Sequence, residues 1–165
     1  MNTIAVSYES EAMAIIAPES LVVKSVDRIL HELGVDGVEI SCAFVSDESI
    51  RALNLMYRQK DESTDILSFP QVDAEDDDSF LFNAEDMDDE GFDNSELLGD
   101  MIISLDSMRL NCETFSVGEG EELLRLLIHG TLHLLGEDHE SNDELEPMLQ
   151  QQERLLDILL KEPGN

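Results

Sequence analysis

The stretch from about Glu121 to Leu135 is apolar almost all the way round a helical projection, with Leu123, Leu124, Leu127, Ile128, Thr131, Leu132 and Leu135 leaving no broad polar face. A helix of that kind must be enclosed by other elements rather than lie on a surface. Histidine is what interrupts it. Four helical residues turn the chain by about 400°, so His129 and His133 lie one above the other on one face, within reach of a single ion. Gly136 falls where a helix commonly ends in a left-handed conformation, and the chain can then fold back to bring His139 toward the same point.

A single histidine in an apolar helix is ordinarily a core residue with its ring nitrogens satisfied. Three of the chain's four histidines fall between positions 129 and 139, around a helix-stopping glycine, and that pattern favours a metal site. Imidazole ligands suit zinc, and also nickel, copper and iron. One zinc per chain, on His129, His133 and His139, would keep a fourth tetrahedral position open for water and lower that water's pKa from about 15.7 to about 7. Hydrolysis is the natural reaction class.

At 165 residues the chain suits one domain with one core, and no apolar run approaches the roughly 18 residues a membrane span needs. The first eighteen residues contain no basic side chain and no continuous apolar core, so a cytoplasmic address without membrane attachment is expected. Cys42 and Cys112 are far apart and read as buried free thiols. The formal net charge of −30 is concentrated: no Lys or Arg occurs between Lys60 and Arg109, and Asp73 to Glu96 holds twelve carboxylates. Like charges at that density resist compaction and lack the ligand spacing of a calcium loop, so an acidic loop is expected at about 71–96, catalytically idle. Phe80, Leu81, Phe82 and Phe92 within it could pin it to the body or offer it to a partner.

Strands are expected at Thr3–Tyr8, Val38–Val45, Asp65–Phe69 and Leu97–Leu105, the last two antiparallel because no helical pattern separates them. Helices are expected after Pro18, after a cap at Ser46 or Asp47, from Asp106 to Phe115, over the histidine segment, and from Asn142 or Asp143 through Met148, Leu155, Leu156, Leu159 and Leu160.

His133-Leu134-Leu135-Gly136-Glu137-Asp138-His139 matches the second half of the metzincin peptidase signature, but Gly130 stands where those enzymes place a glutamate base. Gly130 can neither accept a proton nor orient water. His129-Gly-x-Leu-His133-Leu-x-Gly136-x-Asp138-His139 instead resembles the signature of the YbeY endoribonucleases. Two further blocks agree, Leu53 to Asp61 running on through Thr64-Asp65-Ile66-Leu67-Ser68-Phe69-Pro70, and Leu98 to Ser104. Ser63, where the family commonly has proline, is a minor departure.

The resemblance implies a single α+β domain, a small mixed sheet with a central metal-binding helix and flanking helices. It also implies a zinc-dependent, single-strand-specific endoribonuclease in the 3′-end maturation of small-subunit rRNA and in ribosome quality control. The family's arginine maps onto Arg58. By its own chemistry Arg58 is either a two-pronged phosphate ligand or an ordinary arginine at a helix end, and Asp100 either orients a ligand or is merely a strand carboxylate. Arg125, one turn before His129, is the other candidate for holding phosphate. Arg51, Arg58 and Lys60 lie close in sequence, leaving room for a local basic groove with Arg58 and Lys60 contacting single-stranded RNA. The acidic excess opposes unaided RNA binding, so ribosomal or protein partners are expected to deliver it. Two alternatives stand beside this reading: a metal-dependent hydrolase of another substrate, and a non-enzymatic zinc-stabilised ribosome assembly factor.

Overall fold

The computed structural model describes residues 1–71, 96–137 and 146–161. In chain order the elements are β1 (Thr3–Tyr8), α1 (Glu11–Ile16), α2 (Glu19–Glu32), β2 (Val38–Val45), α3 (Asp47–Arg58), β3 (Ile66–Pro70), β4 (Glu96–Ser104), α4 (Leu105–Phe115), α5 (Glu119–Leu134) and α6 (Pro147–Lys161). The four strands form one mixed sheet in the order β1-β2-β4-β3. β1, β2 and β4 are parallel, and β3 runs antiparallel to β4 at the sheet's edge. The expected strands all form, β1 and β2 within the expected bounds and β3 and β4 with ends shifted by a residue. The short helix α1 had no sequence signal, since Glu11–Ile16 is too brief to show a period.

Strict alternation in β2 decides which side of the sheet is the core. Val38, Ile40, Cys42 and Phe44 are buried, while the residues between them are only partly covered. With Met101 and Ile103 of β4 they meet Val22, Val26, Ile29 and Leu30 of α2, the leucine face of α5, and Met148, Leu155, Leu156 and Leu159 of α6. Helix α5 touches α2, α4, α6, β3 and β4, which is the enclosure its composition demands. The opposite side of the sheet carries α3, where Leu53 and Tyr57 share a 410 Å³ cavity with Ser41, Ala43, Phe69, Asp100 and Ile102.

Local chemistry sets the helix ends that matter for the site. Ser46 caps α3, its Oγ accepting the Ser49 amide at 3.2 Å. At the other end Gln59 takes a left-handed conformation (φ 61°), turning the chain back beneath the helix. The buried Asn54 pins that turn by donating Nδ2 to the Glu62 carbonyl at 2.9 Å. Helix α5 closes with Gly136 at φ 101°, as the motif suggested. The Glu137 amide bonds Leu132 O at 2.9 Å and the Gly136 amide bonds His133 O at 3.0 Å, a Schellman ending.

Cys42 is a free buried thiol whose pKa burial pushes up to about 12, whereas Cys112 is only partly covered, less buried than expected. The acidic segment joins β3 to β4 and lies outside the described residues. So do His139, Asp138 and the expected start of the last helix at Asn142 or Asp143. No helix among the described residues is long and apolar enough to cross a membrane.

Candidate metal and phosphate site

His129 and His133 project from the same face of α5, and their Nε2 atoms stand 3.2 Å apart. The rings meet edge to face, with centroids 4.7 Å apart and planes inclined by 67°. A zinc ion with bonds of about 2.0–2.1 Å and tetrahedral angles requires ligand nitrogens roughly 3.3–3.4 Å apart, so the two imidazoles fit such an ion. Among the described residues no third His, Cys, Asp or Glu completes a group of three with them.

The residue between them is explained by packing. A Cβ on Gly130 would collide with the Met101 sulfur and come within 2.9 Å of Ile66 Cδ1, so α5 lies against β3 and β4 as closely as it does only because position 130 has no side chain.

Behind His129 stands a polar chain that sequence reasoning missed. Gln152 of α6 is 7 % exposed, and its Oε1 lies 2.6 Å from His129 Nδ1. Its Nε2 donates to Glu153 Oε2 at 3.0 Å. Glu153 in turn accepts from Arg125 Nε at 2.9 Å, and Arg125 also donates to Glu122 at 2.7 Å and Glu121 at 3.1 Å. Burial pushes the Glu153 carboxyl up, but the Arg125 and Gln152 donors outweigh it and hold it below its ordinary value. Burial acts downward on Arg125, and its bonds to Glu153 and Glu122 override that and raise it. The sequence signal for Gln152 was there to be read: Met148, Gln152, Leu155, Leu156 and Leu159 form the buried stripe of α6, and Gln152 is its one polar member.

Arg125 is thus committed to three carboxylates, at the wall of the cavity that His129 also lines. Arg51 is paired with Asp61 at 2.7 Å and does not line the cavity that Arg58 and Lys60 share. Asp100 does not stand behind the histidines. Its neighbour Met101 faces α5, so pleating sends Asp100 to the other side of the sheet, into the cavity beside Tyr57 and Phe69.

Arg58 ends α3 on that other side but reaches round the free edge of β3, where Nη2 donates to the Ser68 carbonyl at 3.3 Å. With Lys60, Asn54, Glu62, Ser63, Thr64, Ile66 and Leu67 it lines a 260 Å³ cavity. A second cavity, of 530 Å³, is lined by His129, Gln152, Asn111, Glu122 and again Thr64 and Ile66. The start of β3 is therefore a shared wall between the arginine and the histidine.

Fold and site together define an α+β protein in which a sheet-buried helix presents paired imidazoles near a strand edge bearing a guanidinium. The family profile described as Endoribonuclease YbeY matches residues 5–160, and the chain belongs to that family. The Endoribonuclease YbeY of Treponema denticola is 39 % identical over 155 residues, covering 94 % of this chain and 92 % of its own. That of Treponema pallidum subsp. pallidum is 41 % identical over 128 residues, covering 78 % and 72 %. The solution structure of TM1509 from Thermotoga maritima superposes with a TM-score of 0.59 at 24 % identity, over 94 % of this chain and 87 % of that one, which shows the shared fold.

Proposed function

We propose that this chain is a zinc-dependent, single-strand-specific endoribonuclease that matures the 3′ end of small-subunit rRNA and serves ribosome quality control. The observation that carries it is the pair of imidazole nitrogens 3.2 Å apart on an enclosed helix, separated only by the start of β3 from the cavity of Arg58. Family membership supplies the reaction class, since its members are named endoribonucleases.

In this reading His129, His133 and His139 hold the ion. Bound zinc supplies Lewis acidity that makes water a competent attacking group near neutral pH. Arg58 grips the scissile phosphate with two parallel N–H groups and stabilises the negative charge that grows on its oxygens in the transition state. Lys60, in the same cavity, holds a neighbouring backbone phosphate as a point charge. With a net charge of −30 the protein as a whole repels RNA, so ribosomal partners deliver the substrate and the local cations act within a Debye length of about 8 Å.

Zinc analysis by plasma emission, coupled to cleavage of a single-stranded RNA, tests this. About one zinc per chain, lost in His133→Ala together with cleavage, is the expected result. Stoichiometric zinc retained by His133→Ala would place the ion elsewhere. Zinc present with no cleavage of any single-stranded RNA would favour the assembly-factor alternative.

A further inference from the structure

We infer that Gln152 is a positioning residue, whose amide oxygen holds the Nδ1 proton of His129 and so keeps the Nε2 lone pair of that ring turned toward His133. The inference rests on the metal reading above and extends it to a residue on a different helix.

The neighbours of the Gln152 amide decide which way it faces. Glu153 Oε2 lies 3.0 Å from one end of the amide, and a carboxylate can only accept. Arg125 keeps that carboxyl ionised, donating to both its oxygens at 2.9 and 3.3 Å. Rotating the amide by 180° would set its oxygen against the carboxylate oxygen, two acceptors facing each other at 3.0 Å. The NH₂ group therefore points to Glu153 and the oxygen to His129. Across 2.6 Å from an oxygen, Nδ1 must be the protonated nitrogen, which leaves Nε2 of the neutral ring as the bare one.

Nε2 is also the atom that faces His133. A metal-binding imidazole must present an unprotonated nitrogen, and a fixed partner on the other nitrogen removes the competing tautomer and the competing ring orientation. The anchor for the whole arrangement is Arg125, clamped on its own helix by Glu121 and Glu122. This assigns a purpose to an arginine that is one turn from the histidines and held by three carboxylates.

The test uses the full-length chain and two readouts. Nitrogen-15 spectra of the imidazoles, recorded metal-free with the rings neutral, report the His129 tautomer, and competition with a chromophoric chelator reports zinc affinity. The parent is expected to show His129 protonated at Nδ1. Gln152→Met, close in shape but without the amide, should lose that preference and bind zinc about 10- to 100-fold more weakly. The double exchange Gln152→Glu with Glu153→Gln keeps composition and charge while restoring an acceptor for Nδ1–H and a donor beside it. It should recover the parent tautomer and at least the parent affinity. A role in packing alone would instead leave Gln152→Met, which fills the same space, with the parent's tautomer and affinity.

Parent protein with His129 protonated at Nε2 overturns the inference. So does zinc bound by Gln152→Met as tightly as by the parent, or a double exchange as weak as Gln152→Met. Parent protein that binds no zinc overturns the metal reading itself, and is told apart because it needs no variant.

Discussion

Gly130 Cα packs so closely on Met101 that a single added methyl group would overlap the thioether sulfur. An alanine in place of a helical glycine ordinarily stabilises by about 1 kcal/mol. Here the gain is opposed by overpacking against Met101 and Ile66 Cδ1, which costs about 1–3 kcal/mol. Gly130→Ala is therefore expected to be a net loss of roughly 1 kcal/mol, seen as a lower urea midpoint at unchanged m-value. A midpoint equal to or above the parent's would show that the two side chains move aside freely.

Gly99 is the harsher case, because what surrounds it is backbone. It sits at φ 142°, where β4 shifts register against β2, and a Cβ there would strike the Phe69 carbonyl oxygen and lie 2.9 Å from Pro70 Cα. Backbone cannot rotate out of the way. Gly99→Ala is expected to cost about 3 kcal/mol or more, from the strained φ together with the collision. Hydrogen exchange should show the opening concentrated in the Phe69–Gly99 end of the β3–β4 pair; uniform loss of protection across the sheet would contradict this.

The two glycines mark where sequence was informative and where it was not. The apolar circumference of α5, the alternation in β2 and the histidine spacing each state their own consequence, because each is a periodicity that one element satisfies alone. The role of Gly130 depends on Met101 and Ile66, and the commitment of Arg125 depends on Glu153 of α6, so both required knowing which elements touch. Asp100 was ambiguous for the same reason. Pleating puts it opposite Met101, but which face holds the histidines is settled only by the packing of α5 on Met101. Gln152 was overlooked within a run of three glutamines, although a polar residue in a buried stripe is itself a signal.

The Glu153–Arg125 pair makes acid stability partly legible. The folded-state pKa of Glu153 is held below its ordinary carboxylate value, so the unfolded chain takes up the proton first as pH falls. Its contribution is complete above about pH 4.5 and is lost as pH drops through the lower folded value. With half the side chain exposed, solvent screening keeps the effect modest. Glu153→Gln should be less stable than the parent at neutral pH and converge on it in acid, measured by urea midpoints along a pH series. Parallel curves for the two proteins would show that the pair contributes nothing that depends on ionisation.

Arg58 is held from behind by the Ser68 carbonyl at the edge of β3, at the mouth of a cavity whose wall it shares with His129. An arginine fixed in this way meets a phosphate with its fork already oriented, and its effect should appear in rate rather than in folding. Arg58→Ala is expected to cut single-stranded RNA cleavage by about 10²–10³-fold with zinc content and thermal midpoint close to the parent's. Arg58→Lys retains the charge but not the planar, two-pronged geometry, since the three donors of its ammonium diverge tetrahedrally and offer no parallel pair. It should recover only part of the lost rate. Full recovery by lysine would mean that charge alone matters. Cleavage by Arg58→Ala at the parent rate would leave phosphate binding to another group, and since Arg125 is bound to Glu121, Glu122 and Glu153, Lys60 in the same cavity becomes the residue to substitute next.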